Sequence, residues 1–184
     1  NHWSPSTEYS FLNLADETVA VAWPIPLSQA EVSDKDHAHP RLTDVVPIAP
    51  RKTLVVGAGG QLGRALRAAL GEGAGFDYVD RHDFDITDPA VVDARRWRDY
   101  GTIINAAAYT AVDLAETPEG RRDAWASNVA GTVHLARIAA ENGLTLVHVS
   151  TDYVFDGTAD RPYPEDHPVS PLGVYAQTKA AADA

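Results

Sequence analysis

From Lys52 onward, the apolar residues fall into short unbroken runs separated by stretches with helical spacing. "KTLVVG" is a β-branched apolar run that ends in glycine. "QLGRALRAALGEG" repeats apolar residues along one helical face and also stops on glycine, the usual left-handed end of a helix. "FDYVD" reads as a second strand ending in an acid, and "DFDI" as a short third. "TDPAVVDARRWRDYG" opens on a Thr-Asp-Pro start, with Pro89 where a first helical turn tolerates it. "TIINAAA" reads as a buried strand and "TPEGRRDAWASNVAGTVHLARIAAENG" as a long helix stopping at Gly143. "LTLVHVST" is a further strand. Continuous apolar strands alternating with helices predict an α/β fold, a doubly wound parallel sheet covered on both faces.

The first fifty residues lack this order. They are rich in proline and contain no long periodic run; "VAVAW" reads as a short strand and "SQAEVSDKDHAH" as a turn of helix. "VVPIAPRK" marks a boundary. The predicted organisation is an irregular N-terminal arm over 1–50 and an α/β domain over 51–184.

Composition narrows the function classes. A net charge of −11 argues against a nucleic-acid or anionic-membrane surface, because both need clustered Lys and Arg. With no cysteine, disulfides, thiolate metal sites and cysteine nucleophiles are excluded. No apolar run approaches a membrane span and no signal peptide is visible, so a cytoplasmic location is expected. Methionine is absent even from position 1. That points to a piece of something longer, with the sheet incomplete at its C-terminal end.

Gly57, Gly60 and Gly63 stand between a strand and a helix with the spacing G-x-x-G-x-x-G. In a Rossmann-type NAD(P)-binding fold the first glycine makes the tight turn, the second admits the pyrophosphate and the third allows helix–strand packing. The helix N-terminus then offers free N–H groups to the phosphates. Asp80 closes the second strand, where a carboxylate accepts from ribose hydroxyls and favours NADH. Arg81 follows it and suits the extra phosphate of NADPH. The two neighbours leave NADPH or NADH open. Asp85 and Ile86 come after the next run, where an acid reaches the adenine amino group and Ile covers its face.

Near the end, "GVYAQTK" puts Tyr175 and Lys179 one helical turn apart, on one face. They follow the strand whose C-terminal end carries Ser150 and Thr151, the end at which such sheets bind ligands. Reduction of a ketone by hydride leaves an alkoxide that needs a proton. A nearby ammonium lowers the pKa of a tyrosine enough to supply one, and the Thr151 hydroxyl can bind the carbonyl oxygen.

With these residues in view, the chain resembles the extended short-chain dehydrogenase/reductase superfamily, and within it the dTDP-4-dehydrorhamnose reductases. The matching stretches are "GAGGQLGRAL", "DFDITD", "IINAAAYTAVDLAE", "NVAGT", "VHVSTDYVFDG" and "PYPEDHPVSPLGVYAQTK", over roughly residues 52–184. The resemblance implies an NAD(P)H-dependent oxidoreductase of dTDP-L-rhamnose biosynthesis. Tyr175 would be the proton donor, Lys179 would hold the nicotinamide ribose, and Thr151 would adjust the site. Gly60, Gln61 and Leu62 would meet the pyrophosphate. Ala108, Tyr109 and Thr110 would line the cofactor groove, and Thr151 and Asp152 would touch the dTDP-sugar. Related dehydratases carry an acid where Tyr153 stands, which argues for reduction without dehydration. By family, a homodimer and Mg2+ are open expectations, although no ligand set for the metal is apparent.

The arm, "WSPSTEYSFLNLADETVAVAWPIP" through "VSDKDHAHPRL", resembles the tail of dTDP-4-dehydrorhamnose 3,5-epimerase. That implies a fused or associated epimerase domain, with Asp36 as the carboxylate that orients a catalytic His lying upstream. His37 and His39 read as surface residues, and no epimerase activity is assigned to these residues alone. A substrate-gripping lid is expected beyond residue 184. Two alternatives remain: a non-catalytic dinucleotide-binding subunit resembling the regulatory subunit of methionine adenosyltransferase, and a reductase or epimerase of another nucleotide sugar.

Overall fold

The computed structural model describes residues 9–48 and 50–184. "NHWSPSTE" at the start of the epimerase-like stretch, and Ala49 in the boundary, lie outside the described residues. The chain separates into two units, Asn1–Pro50 and Arg51–Ala184. Among the described residues no helix is long and apolar enough to cross a membrane.

The first unit is held by polar side chains serving backbone groups. Asp16 is buried, and its carboxylate accepts from Thr18 N, Val19 N and Leu42 N at 2.9, 3.0 and 2.7 Å. Asn13 donates to the carbonyls of His37 and His39 at 2.9 and 3.2 Å. The one α-helix described here, α1 (Asp34–His37), is capped by Ser33, whose hydroxyl accepts from Asp36 N. "VAVAW" forms no strand. Its first amide is tied to Asp16, and Ala20 turns into positive φ at 46°.

In the second unit the elements run β1 (Lys52–Val56), α2 (Gln61–Leu70), β2 (Phe76–Val79), α3 (Pro89–Asp93), β3 (Tyr100–Asn105), α4 (Pro118–Ala124), α5 (Thr132–Asn142), β4 (Thr145–His148) and α6 (Val174–Asp183). All strand pairs are parallel, in the order β2-β1-β3-β4. The order reverses beside β1, because the chain leaves β1 for β2 on one side and returns to β3 on the other. Loops leaving β1 and β3 diverge at such a point and open a crevice at the carboxyl ends of the strands. Register puts Val56, Val79, Asn105 and His148 in one row at that end.

The core is Leu54, Val56, Val79, Phe84, Ile86, Val92, Trp97, Tyr100, Ile103, Leu135, Ile138 and Ala139. "DFDI" contributes Phe84 and Ile86 to it, but as a turn and not as a strand. Phe84 N bonds back to Asp80 O at 2.9 Å and the Asp85 carboxylate takes Thr87 N, so this backbone is satisfied locally.

The predicted long helix is continuous from α4 to α5, but Trp125–Gly131 between them is wound as a π-helix. Gly143 ends α5 at φ 62°. Gly131 lies against Ile86; a Cβ there would meet Ile86 Cγ1 at 2.7 Å. The wide turn therefore ends where Gly131 packs against the core residue Ile86. Such bulges recur at functional positions, and this one places Asn128.

Candidate active site

The glycine loop is built as its spacing requires. Gly57 sits at φ 81°, and a Cβ there would stand 2.6 Å from Ala107 N, so the β1 and β3 loops touch backbone to backbone. Gly63 is buried against the same loop, with Gly57 O only 2.2 Å from where a Cβ would lie. α2 starts after Gly60 without a side-chain cap. Its first N–H groups are therefore left for a ligand, and Gln61 and Leu62 line the cleft they face.

Two clefts meet over this loop and share Gly60, Ala106, Ala107, Ala108 and Thr110. The first, of about 480 Å3, is lined by Gly57, Asp80, Arg81, Asp85, Ile86 and Tyr109 among others. The second, of about 570 Å3, holds Gln61, Leu62, Asn105, Ser150, Tyr175 and Lys179. An elongated dinucleotide suits this shape: phosphates at the shared glycine loop, one nucleoside on each side. Close backbone packing at Gly57 and Gly63 holds the loop tight, and Gly60, which lines both clefts, leaves its face open to such a cofactor.

In the first cleft Asp80 stands beside Gly59 at the end of β2. Its Oδ1 accepts from His82 N at 2.9 Å. Arg81 turns to Asp85, with Nε 3.2 Å from Oδ2. Burial alone would raise the Asp85 carboxyl, but hydrogen bonds from Thr87 and Arg81 outweigh it and hold the group below the ordinary aspartate range. Asp80 and Arg81 thus both line this cleft, Arg81 with its guanidinium paired to Asp85.

In the second cleft α6 presents Tyr175 and Lys179 together. The helix is docked by Glu116, whose Oε1 accepts from Val174 N at 2.8 Å, and by Val174 packed against Ala115 and Ala124. Tyr175 meets Tyr153 edge to face at 5.9 Å. Lys179 is only 2% exposed and donates to Val149 O at 2.5 Å. Burial pushes its pKa below the ordinary lysine value, opposed by the Asp183 carboxylate.

Thr151 does not join them. It caps a 3-10 turn over Asp152–Val154, its Oγ1 accepting from Tyr153 N and donating to Asp152 Oδ1, both at 3.3 Å. Neither Thr151 nor Asp152 lines the cleft, whereas Ser150 does. Among the described residues no group of three His, Cys, Asp or Glu is placed to hold a metal. Asp36, in the first unit, is engaged locally by the Ser33 hydroxyl at 2.7 Å and by His39 at 3.4 Å.

Several supporting residues escaped the sequence reading. Asn128 is buried in the π-helical segment. Its Oδ1 accepts from Tyr109 N at 2.7 Å, and its Nδ2 donates to Tyr109 O and Thr178 Oγ1 at 3.1 and 2.9 Å. One amide therefore ties the β3 loop to α6. Its signal in the sequence was only the "NVAGT" match, which carried no role. Each orphaned buried group costs roughly 1–3 kcal/mol, so Asn128→Ala is expected to lower unfolding free energy by about 3 kcal/mol in denaturant titrations. Asn105, His148 and Thr178 were likewise unassigned.

Residues 51–184 match the family model described as RmlD substrate binding domain. A dTDP-4-dehydrorhamnose reductase of Mycobacterium tuberculosis is 45% identical over 137 residues, 72% of this chain and 44% of that protein. A dTDP-4-keto-6-deoxy-D-glucose reductase of Streptomyces niveus is 44% identical, over 71% of this chain and 45% of its own. The crystal structure of a dTDP-4-dehydrorhamnose reductase from Bacillus anthracis in complex with NADP superposes with a TM-score of 0.67 at 34% identity, covering 73% of this chain and 48% of that one. The chain thus spans less than half the length of the relatives it matches. A glycine-cradled double cleft, a Tyr–Lys pair at its far end and a family match over the whole α/β unit agree: through residues 51–184 this chain belongs to the RmlD substrate binding domain family.

Proposed function

We propose that the full-length protein is an NAD(P)H-dependent reductase of a dTDP-4-keto-6-deoxy sugar, converting dTDP-4-dehydro-L-rhamnose to dTDP-L-rhamnose. The observation that carries this reading is that Tyr175 and Lys179 open into the same cleft as the glycine loop. The NAD(P)H would supply the hydride. Gln61 and Leu62 would hold its phosphates by backbone N–H groups at the start of α2. Gly60, whose own N–H is bonded to Gly57 O at 3.0 Å, would admit their close approach. Asp80, Asp85 and Ile86 would surround the cofactor's adenosine. Tyr175 gives its phenolic proton to the oxygen that becomes the new hydroxyl. Lys179 holds the nicotinamide ribose and, when charged, favours the phenolate left behind. Thr151 and Asp152 are assigned to the sugar.

The test is the loss of NADPH absorbance on adding dTDP-4-dehydro-L-rhamnose to the full-length protein. Binding of NADPH without turnover on any dTDP-keto sugar would instead favour a non-catalytic dinucleotide-binding subunit. Because Asp80 faces the cleft while Arg81 is paired to Asp85, Asp80→Ala is expected to move preference toward NADPH by about tenfold. That corresponds to about 1.4 kcal/mol, measured as the ratio of kcat/KM with NADPH and NADH. We assign residues 1–50, on their resemblance, to the tail of an epimerase fused ahead of the reductase. Exchange of sugar C3 and C5 hydrogens with deuterated solvent, catalysed by the full-length chain, tests that assignment. Homodimerisation is proposed on family grounds and is tested by light scattering.

A further inference from the structure

Lys179 has a second neighbour that the reaction as described does not use. His148, at the carboxyl end of β4, is largely buried, and its Nε2 stands 3.0 Å from Lys179 Nζ. Its Nδ1 stands 3.2 Å from Asn105 Nδ2. The protons in this chain can be placed one at a time. Ala107 N is a backbone amide and can only donate; it donates to Asn105 Oδ1 at 3.2 Å. That fixes the amide orientation, so Asn105 Nδ2 faces Thr132 Oγ1, also at 3.2 Å, and His148 Nδ1. An amide nitrogen offers only hydrogens. His148 Nδ1 must therefore accept, and the imidazole proton sits on Nε2, pointing at Lys179.

A lysine ammonium also offers only hydrogens. Nε2–H against an ammonium N–H at 3.0 Å is a donor facing a donor. The free amine resolves the clash, because its lone pair accepts from His148 while one hydrogen goes to Val149 O. Resting on the reductase reading above, we infer that His148, oriented by Asn105, is a positioning residue that holds Lys179 as a free amine until the cofactor enters. Lys179 then takes one proton from solvent, forming a single new N–H bond. The ammonium is repelled by His148 Nε2–H and turns into the cleft, toward the acceptor oxygens of a ribose.

The ionisable groups around Lys179 agree with this assignment. Among the described residues Asp183 on α6 is the carboxylate recorded beside this pair, 3.6 Å from His148 Nε2, and it is hydrogen-bonded by the Ser150 hydroxyl. Tyr175 on α6 and Arg64 on α2 line the same cleft, and β3 contributes only the neutral Asn105. Burial lowers the pKa of His148, opposed by the Asp183 carboxylate, as expected for a ring that cannot accept a second proton without breaking its bond to Asn105.

Calorimetry of NADPH binding to the full-length protein, in buffers of different ionisation enthalpy, reads the proton directly. Wild type is expected to take up roughly one proton per NADPH, with affinity falling up to tenfold per pH unit as pH rises from the lowered pKa of Lys179 in the free protein toward its higher pKa with cofactor bound. In His148→Gln the side chain can turn its carbonyl oxygen to Lys179 and keep the ammonium in the free protein. Uptake should then fall toward zero and the pH dependence should flatten. A merely structural role would change stability and affinity without changing the number of protons. No uptake by wild type, or unchanged uptake in His148→Gln, overturns the inference. Nitrogen NMR of the histidines in cofactor-free wild type decides the tautomer independently of any variant. A proton on Nδ1 overturns the inference, whereas failure to bind NADPH would defeat the reductase reading and leave the tautomer result standing.

Discussion

Tyr175→Phe in the full-length protein is expected to lower kcat by roughly a hundred- to ten-thousandfold, the range for loss of a general acid. NADPH affinity should change little. The phenol is the one proton-bearing side chain on α6 that shares the cleft with both Lys179 and the glycine loop. Phe keeps the ring, and with it the edge-to-face contact to Tyr153. The substitution therefore removes a proton and almost nothing else. Steady-state kinetics with dTDP-4-dehydro-L-rhamnose separate the outcomes: a fall in kcat supports the assignment, while a rise in KM alone would make Tyr175 a binding residue. An unaffected rate would sink the mechanism.

Gly63→Ala should strongly destabilise the fold. Its Cβ would lie 2.2 Å from Gly57 O and 2.5 Å from Ala58 Cα, and both are backbone atoms that cannot swing aside. Either α2 moves off β1 or the glycine loop opens. Overpacking typically costs 1–3 kcal/mol, and contact with backbone puts this case at about 3 kcal/mol, with NADPH binding lost because the loop is displaced. Gly59→Ala is the control. There the nearest atoms are the Asp80 side chain at 3.5 and 3.6 Å, an ordinary contact. Thermal melts and NADPH titrations of the two variants should diverge; equal behaviour would mean that α2 is not packed on the loop as described.

The limits of the sequence reading have physical causes. "DFDI" and "VAVAW" look like strands because alternation and β-branching describe what a segment can bury and not whether a partner strand lies beside it. Phe84 and Ile86 do reach the core, but the Asp80 carbonyl and the Asp85 carboxylate take the amides a strand would need. Asp16 does the same for Thr18 and Val19. A side-chain acceptor two or three residues away competes with a distant strand and closes its bond at little entropic cost. The Thr151 hydroxyl is likewise engaged locally, by the turn it caps.

Local regularity determined much of this protein from the sequence alone. The β-α alternation, the glycine loop between strand and helix, the helix ends at Gly71 and Gly143, and the Tyr175–Lys179 turn all depend on residues within a few positions of one another. Tertiary structure alone decided which distant groups complete the site. Asn105 and His148 are 43 residues apart, Asn128 and Thr178 are 50 apart, and nothing in either neighbourhood announces the pairing. They meet because parallel register aligns the strand ends and because a π-helical turn aims Asn128 across to α6. A proton's place on His148 follows only from that assembly, since it depends on which side of Asn105 an amide hydrogen already occupies.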